Sequence, residues 1–206
     1  KVSYPLENVY VLDSPKSSSD PDVSPPQPNV ILSGFGSRKK IILNDSILLV
    51  NDNEVLAIIG HELGHWKLGH TMKTFVFTQI YYGLAIYCFS LFYSTYDFFR
   101  AFGFDDPDRP VATIIELFLF QQTLWIPIGK ILLFITTAFS HQLVLAADQF
   151  TIGLGLSQNL QTFLCKTSME PMENVRPDSL YAACTYPSPH LVERLSKMSH
   201  LEKKIE

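Results

Sequence analysis

The sequence is poor in charge and in cysteine. Only 17% of its 206 residues are charged, the formal net charge is −4, and Lys and Arg form no long run. That argues against a nucleic-acid surface, which needs clustered cations. The three cysteines, Cys88, Cys165 and Cys184, are odd in number and scattered. They suggest neither a disulfide framework nor a Cys-type zinc site. The opening residues do not read as a secretory signal. The first residue is Lys1 rather than methionine, so a fragment or processed piece is expected. What the chain has in quantity is apolar: 47% hydrophobic and 13% aromatic residues, concentrated in the middle. One good core is within reach at this length.

Residues 1–13 hold a short β-type run, Val9-Tyr10-Val11-Leu12, and residues 14–28 form a Ser/Pro/Asp-rich loop or linker. Val30-Ile31-Leu32 and Lys40-Ile41-Ile42-Leu43 flank Gly34-Phe35-Gly36-Ser37, which predicts a hairpin. Asn51 predicts a helix cap with Glu54 three residues on, and the helix is expected over Val55 to His70. Between Lys73 and Asp97 the stretch Thr74 to Tyr96 carries no charge. It exceeds the roughly 20 residues a membrane helix needs. The plainer alternative is a buried soluble helix. Residues 111–139 are again apolar, interrupted by Glu116 and Lys130, and Pro127 is expected to kink or break the helix. Polar groups at membrane depth face a bundle interior or a wet cavity; the alternative there is two shorter core helices. The tail is soluble in character. Asp178 is a candidate cap for a short helix Ser179–Cys184, and His190 to Glu206 reads as a charged amphipathic helix.

Chemistry concentrates in Gly60-His61-Glu62-Leu63-Gly64-His65-Trp66. This contains His-Glu-x-x-His, two metal ligands four residues apart, so both imidazoles project from one helix face. Glu62 lies beside them, placed to take a proton from a water held by the metal. A catalytic zinc has three protein ligands. The metzincin pattern fails, because Leu68 and Thr71 stand where Gly and His are required, and Gly69 and His70 are one position out of register. On a straight helix at about 100° per residue, His70 lies roughly opposite His61. It therefore reads as a surface or interface histidine. The other zincin solution takes a Glu from a later helix, for which Ser140 to Phe150 is the candidate.

Here the chain resembles the type I CAAX prenyl proteases, integral-membrane zinc endopeptidases that trim farnesylated proteins. The residues that carry the resemblance are Gly60 through Thr71, Ala101-Phe102-Gly103-Phe104, Ala147-Asp148-Gln149-Phe150, and Tyr186 through Leu195. It runs from about Val9 to the end, and the family's earlier membrane helices are missing, as a fragment would have it. The resemblance implies a mainly α fold: a multi-helix membrane protein with an HExxH zincin-like catalytic region and a small β-hairpin. It implies strands, loop and hairpin over residues 1–50. The motif helix, transmembrane helices and second site helix then take 51–150, and a soluble helical part of the same peptidase domain takes 151–206.

By the same resemblance His61 and His65 are zinc ligands and Glu62 is the catalytic base. Asp148 is the acid that orients a ligand histidine. Ser188, His190 and Arg194 fall in the oxyanion and substrate region. Two departures matter. The family's zinc-binding Glu falls on Val144, which has no lone pair, and its oxyanion-binding His falls on Ser188. His141 and Asp148, within about 20° of each other around the helix, are weak substitute ligands. The expectation is one Zn²⁺ per chain, weakly bound, and a prenylated CAAX-type protein or peptide as substrate. Membrane lipid is the expected surroundings, in the endoplasmic reticulum membrane, and no nucleic acid is expected. The alternative is a catalytically impaired relative that binds prenylated or membrane-inserted chains.

Overall fold

A computed structural model describes residues 3–13, 29–36, 38–93, 95–104, 111–169, 178, 181–182, 186 and 188–205. The Ser/Pro/Asp-rich segment 14–28 lies outside them. The described chain is mainly helical with a small mixed sheet. It divides into two compact units, one from residues 1–70 and 139–206, the other from 71–138.

The first unit begins with the sheet. Strands β1 (Leu6–Leu12), β2 (Val30–Phe35) and β3 (Arg38–Asn44) stand in the order β1-β3-β2. The expected hairpin is β2 with β3, antiparallel, pairing Val30 with Leu43 and Phe35 with Arg38. Its turn needs Gly36 at φ 62°, a left-handed position that favours glycine. The sheet is larger than a hairpin, because β1 adds in parallel to the other edge of β3, with Val9 opposite Ile41. A parallel partner reaches its place through a long connection, which local pattern cannot announce.

Helix α1 (Asp52–Lys67) carries the His-Glu-x-x-His run. The Asn51 side chain caps it by accepting from the Asn53 N–H at 3.2 Å. Glu54, the acid of the expected cap, is buried and its Oε1 accepts from Lys166 Nζ at 2.6 Å. Ala57, Gly60 and Gly64 are all buried on one side of the helix. This small-residue seam admits a neighbour closely: a Cβ on Gly64 would stand 3.1 Å from the Ala147 carbonyl oxygen and 3.2 Å from Ala147 Cα. The neighbour belongs to α5 (Ile126–Gly153). Two apolar clusters fix the rest of the unit. Val30, Ile41, Ile47, Ile58 and Phe163 join the sheet to α1 and α6 (Ser157–Met169). Ala57, Ile152, Leu160 and Met198 join α1, α5, α6 and α7 (Leu191–Ile205). Trp66 adds an edge contact with Tyr4 at 4.9 Å between ring centroids, and Lys39 Nζ lies 4.1 Å from its ring centre.

The expected helix to His70 ends earlier. Leu68 N–H still bonds Gly64 O at 3.0 Å, but Gly69 takes φ 66° and closes α1 with a left-handed residue. The chain restarts at His70 as α2 (His70–Phe92).

The second unit holds most of α2, α3 (Tyr96–Arg100), α4 (Thr113–Phe120) and the first part of α5. Two helical runs are long and apolar enough to cross a membrane, His70–Phe92 and Thr113–Gly153, and of the α2 window 0% is buried. Phe75, Ile80, Ile86 and Leu91 stand exposed. The alternative of a buried soluble helix is therefore corrected: this helix offers its apolar surface outward, where water would penalise it at about 25 cal/mol per Å². Glu116 is buried, as a polar group at membrane depth should be, whereas Lys130 is exposed. Pro127 does not break its helix. The turn before it, Gln121–Trp125, widens to a π-helix, which takes up the missing N–H and the ring's clash with the preceding turn.

The tail helix expected from His190 runs from Leu191 to Ile205. The Asp178 side chain accepts from Tyr181 N–H at 3.2 Å, as a cap does. Ala182 N–H bonds the Asp178 carbonyl at 2.8 Å, and Ser179, Leu180, Ala183 and Cys184 lie outside the described residues.

Candidate metal centre

Everything expected of the site on described residues lies in the first unit. The helical spacing of His61 and His65 does what the motif requires. Their Nε2 atoms converge to 3.2 Å, with ring centroids 4.9 Å apart. Two imidazole nitrogens, each about 2.0–2.1 Å from a tetrahedral zinc, stand roughly 3.3 Å apart. The pair therefore fits two corners of a zinc site without rearrangement.

The close approach at Gly64 brings α5 alongside, and with it Asp148. Its Oδ1 lies 2.9 Å from His61 Nδ1, on the side of the ring away from His65. The contact is electrostatic, since the ring N–H lies off the line that a hydrogen bond requires. Asp148 is 2% exposed. A buried carboxylate is costly unless paired, and Arg194 of α7 supplies the pair. Its guanidinium forks onto the carboxylate, Nη2 to Oδ1 at 2.6 Å and Nε to Oδ2 at 2.8 Å. Sequence reasoning placed Arg194 only by resemblance, and its partner emerges from the packing of α7.

The correction concerns His70. Expected as a surface or interface histidine opposite His61, it is 3% exposed and packs beside the site, its Nδ1 2.9 Å from His65 Nδ1. The prediction assumed a straight helix through residue 70, whereas Gly69 ends α1 and turns the chain back. The signal was present, since a glycine near a helix end is a stop.

Burial raises the Glu62 carboxyl above its ordinary 4.5, against the opposing pull of His61 and Arg194. A base that holds protons more readily suits general base work near neutrality. Burial, then the neighbouring His61 and His70, pushes the His65 imidazole down from 6.5 to about 4. It is neutral at pH 7, as a metal ligand must be.

The third corner is not supplied. Among the described residues no group of three His, Cys, Asp or Glu side chains stands together to hold a metal. Val144 is half-buried and purely hydrocarbon. His141 directs Nε2 to the Tyr186 carbonyl at 2.9 Å, and Asp148 is engaged by His61 and Arg194. Ser188 is exposed. The His190 ring packs on Tyr186 at 4.4 Å, and its buried Nε2 makes no hydrogen bond among the described residues.

The model of peptidase family M48 matches residues 8–202. A CAAX prenyl protease 1 homolog of Arabidopsis thaliana is 35% identical over 207 residues, covering 100% of this chain and 46% of that protein. A human CAAX prenyl protease 1 homolog is 28% identical over 240 residues, covering 98% of this chain and 48% of that protein. The crystal structure of S. mikatae Ste24p superposes with a TM-score of 0.73 at 31% identity, covering 95% of this chain and 46% of that one. The chain spans about half the length of the curated relatives it matches.

Proposed function

Because this chain belongs to peptidase family M48, we propose that it carries the metal-site half of a membrane endopeptidase acting on prenylated CAAX-type protein or peptide ends. The observation that carries this reading is the convergence of two imidazole nitrogens at 3.2 Å beside Glu62, one ring backed by a buried carboxylate. In this reading the segments 1–50, 51–150 and 151–206 serve one peptidase region. Its place is the endoplasmic reticulum membrane, with lipid against the outward apolar face of α2.

His61 and His65 are the residues that would hold one Zn²⁺. When bound, the ion supplies Lewis-acid polarisation of the scissile carbonyl and acidifies water. The chain's own residues do the rest. Glu62 takes the proton of the attacking water and passes it to the leaving amine. Asp148, held by Arg194, keeps His61 in the tautomer that presents Nε2. Strand β2 is an edge of the sheet. Its free side can pair with an extended substrate backbone. His190, with Ser188 and Arg194 in the same segment, belongs to the oxyanion and substrate region.

A second reading is supported by Val144 and Ser188: a catalytically impaired relative that binds prenylated or membrane-inserted chains without cutting them. A missing oxyanion donor alone costs about 10²–10³ in rate, and a missing ligand adds to that. Zinc content, measured on the purified protein beside Val144→Glu, separates the two. Stoichiometric zinc in the unmodified protein, with a prenyl peptide cleaved and cleavage abolished in Glu62→Gln, establishes the peptidase. Zinc taken up only by Val144→Glu establishes the impaired relative.

A further inference from the structure

Helices α5 and α7 leave a groove between them in the first unit. Its cavity is about 470 Å³, within the range of small-molecule sites. The α5 wall presents Gln142, Leu145, Ala146 and Gln149, and the α7 wall Arg194, Lys197, Met198 and Leu201. Each set repeats in steps of three and four residues, so each is one helix face. His200 lines the α7 side as well.

Burial divides this lining into a floor and a rim. The floor is apolar: Met198 is buried, and Leu145, Ala146 and Leu201 are half-buried. The rim is polar, with Gln142, Gln149, Lys197 and His200 all exposed. Two lining cations, Arg194 and Lys197, stand against one lining acid, Asp148, so the groove is net positive. Arg194 holds both Asp148 oxygens through Nε and Nη2, which leaves its Nη1 for a further acceptor. Lys197 Nζ donates to Glu193 Oε1 at 2.8 Å, but both side chains are nearly half exposed, and such a surface pair is worth little. The Gln142 and Gln149 amides and the His200 ring have no partner among the described residues. Hydrogen-bond donors above an apolar floor fit an anion that carries hydrocarbon.

The place of the groove narrows that anion further. Its α5 wall belongs to the apolar run Thr113–Gly153, which is 41 residues long. A spanning helix uses about 20, so the run is long enough to cross a membrane and carry on beyond it. Gln142 and Gln149 lie in its last turns, in the first unit.

We propose that the groove between α5 and α7 holds the head group of an anionic phospholipid. Lys197, His200 and the two glutamines bind the phosphate oxygens, and the floor takes the first carbons of the lipid. The proposal goes beyond the peptidase reading and is independent of any metal. It rests on the membrane reading of the apolar runs.

For the test, the whole chain in detergent is offered equal amounts of phosphatidylglycerol and phosphatidylcholine of one acyl length. Retained lipid is counted by native mass spectrometry. Phosphatidylglycerol should be retained in about fivefold excess, the effect of one cation, Lys197, beside the head group. Lys197→Gln and Gln149→Glu, on opposite walls, should each abolish the excess, with melting curves showing that each variant folds. The double change Lys203→Gln with Lys204→Gln, on exposed positions of α7 outside the groove, should keep it. Equal retention of the two lipids by the parent overturns the proposal. So does an excess that survives Gln149→Glu, or one that the Lys203 and Lys204 changes remove. An excess of inorganic phosphate should leave the bound lipid in place; complete displacement would assign the groove to free phosphate and overturn the lipid. A chain that stays soluble without detergent and retains neither lipid overturns instead the membrane reading, and the two failures are thereby distinguished.

Discussion

Replacing Arg194 by methionine removes a cation while keeping most of the side chain's length. Asp148 is 2% exposed and Arg194's side chain 13%, so water screens the pair little. Two charge-assisted hydrogen bonds, at 2.6 and 2.8 Å, are lost together. Each is worth about 1.5–3 kcal/mol, and breaking a buried pair by removing one partner costs about 3–5 kcal/mol. His61 remains 2.9 Å from the orphaned carboxylate, which puts the expected loss toward the lower end of that range. For a chain of this size about 2–4 °C of melting temperature accompanies each kcal/mol. Arg194→Met should therefore melt at least about 6 °C lower in detergent. Arg194→Lys keeps the charge but not the fork and should fall in between. The decisive variant is the double change Arg194→Met with Asp148→Asn. With the carboxylate neutralised no charge is left uncompensated, so the double variant should be more stable than the single. A single variant that melts within about 2 °C of the parent, or a double variant as unstable as the sum of its parts, would refute the account of a desolvated pair.

Gly64→Ala should separate α1 from α5, because the new Cβ would stand 3.1 Å from the Ala147 carbonyl oxygen and 3.1 Å from Phe150 Cδ1. Overpacking of this kind costs about 1–3 kcal/mol, offset by about 1 kcal/mol of helix propensity; zinc affinity should fall more than melting temperature, and an unchanged affinity would sink the idea. Gly69→Ala meets no neighbour but is held at φ 66°; about 1 kcal/mol of stability should go, with Gly69→Asn losing less. His65 supplies a pH dependence. Its folded value is depressed, so between about pH 6.5 and 4 the unfolded chain binds more protons, and the metal-free protein loses stability as the pH falls through that window. Melting curves of chelator-treated protein should show this slope and His65→Gln should flatten it; equal slopes would remove His65 as its source. Finally, the outward apolar face of α2 should make recovery of the purified chain depend on detergent, and a freely soluble product would contradict the membrane reading.

The helices that carry the site were legible from periodicity because helical spacing is local. His61 and His65 must share a face if residues 61–65 are helical at all, and the Asn51 cap marks where that helix begins. The apolar run of α2 was equally plain, since the length of an uncharged stretch needs no partner to be read. Val144 was visible as a departure only through the family resemblance, which sets a Glu four residues before Asp148. The limits appear wherever one element meets another. β1 joins β3 across the segment 14–28, and nothing in Val9-Tyr10-Val11-Leu12 names its partner. Pro127 was expected to kink or break a helix; it does not break it but follows a π turn, because the backbone had a second way to absorb the ring.

By itself, then, the sequence determined the chemistry on offer: two imidazoles and a carboxylate on one helical face, beside long uncharged stretches. Tertiary structure alone decided how that chemistry is supported. Arg194 reaches Asp148 from a helix 46 positions away, and His70 reaches His65 because one glycine ends a helix that periodicity would have carried on. The physical reason is the same in both cases. Helical period fixes which side chains share a face, whereas contacts between helices depend on where each one stops and on how closely small residues let the next approach.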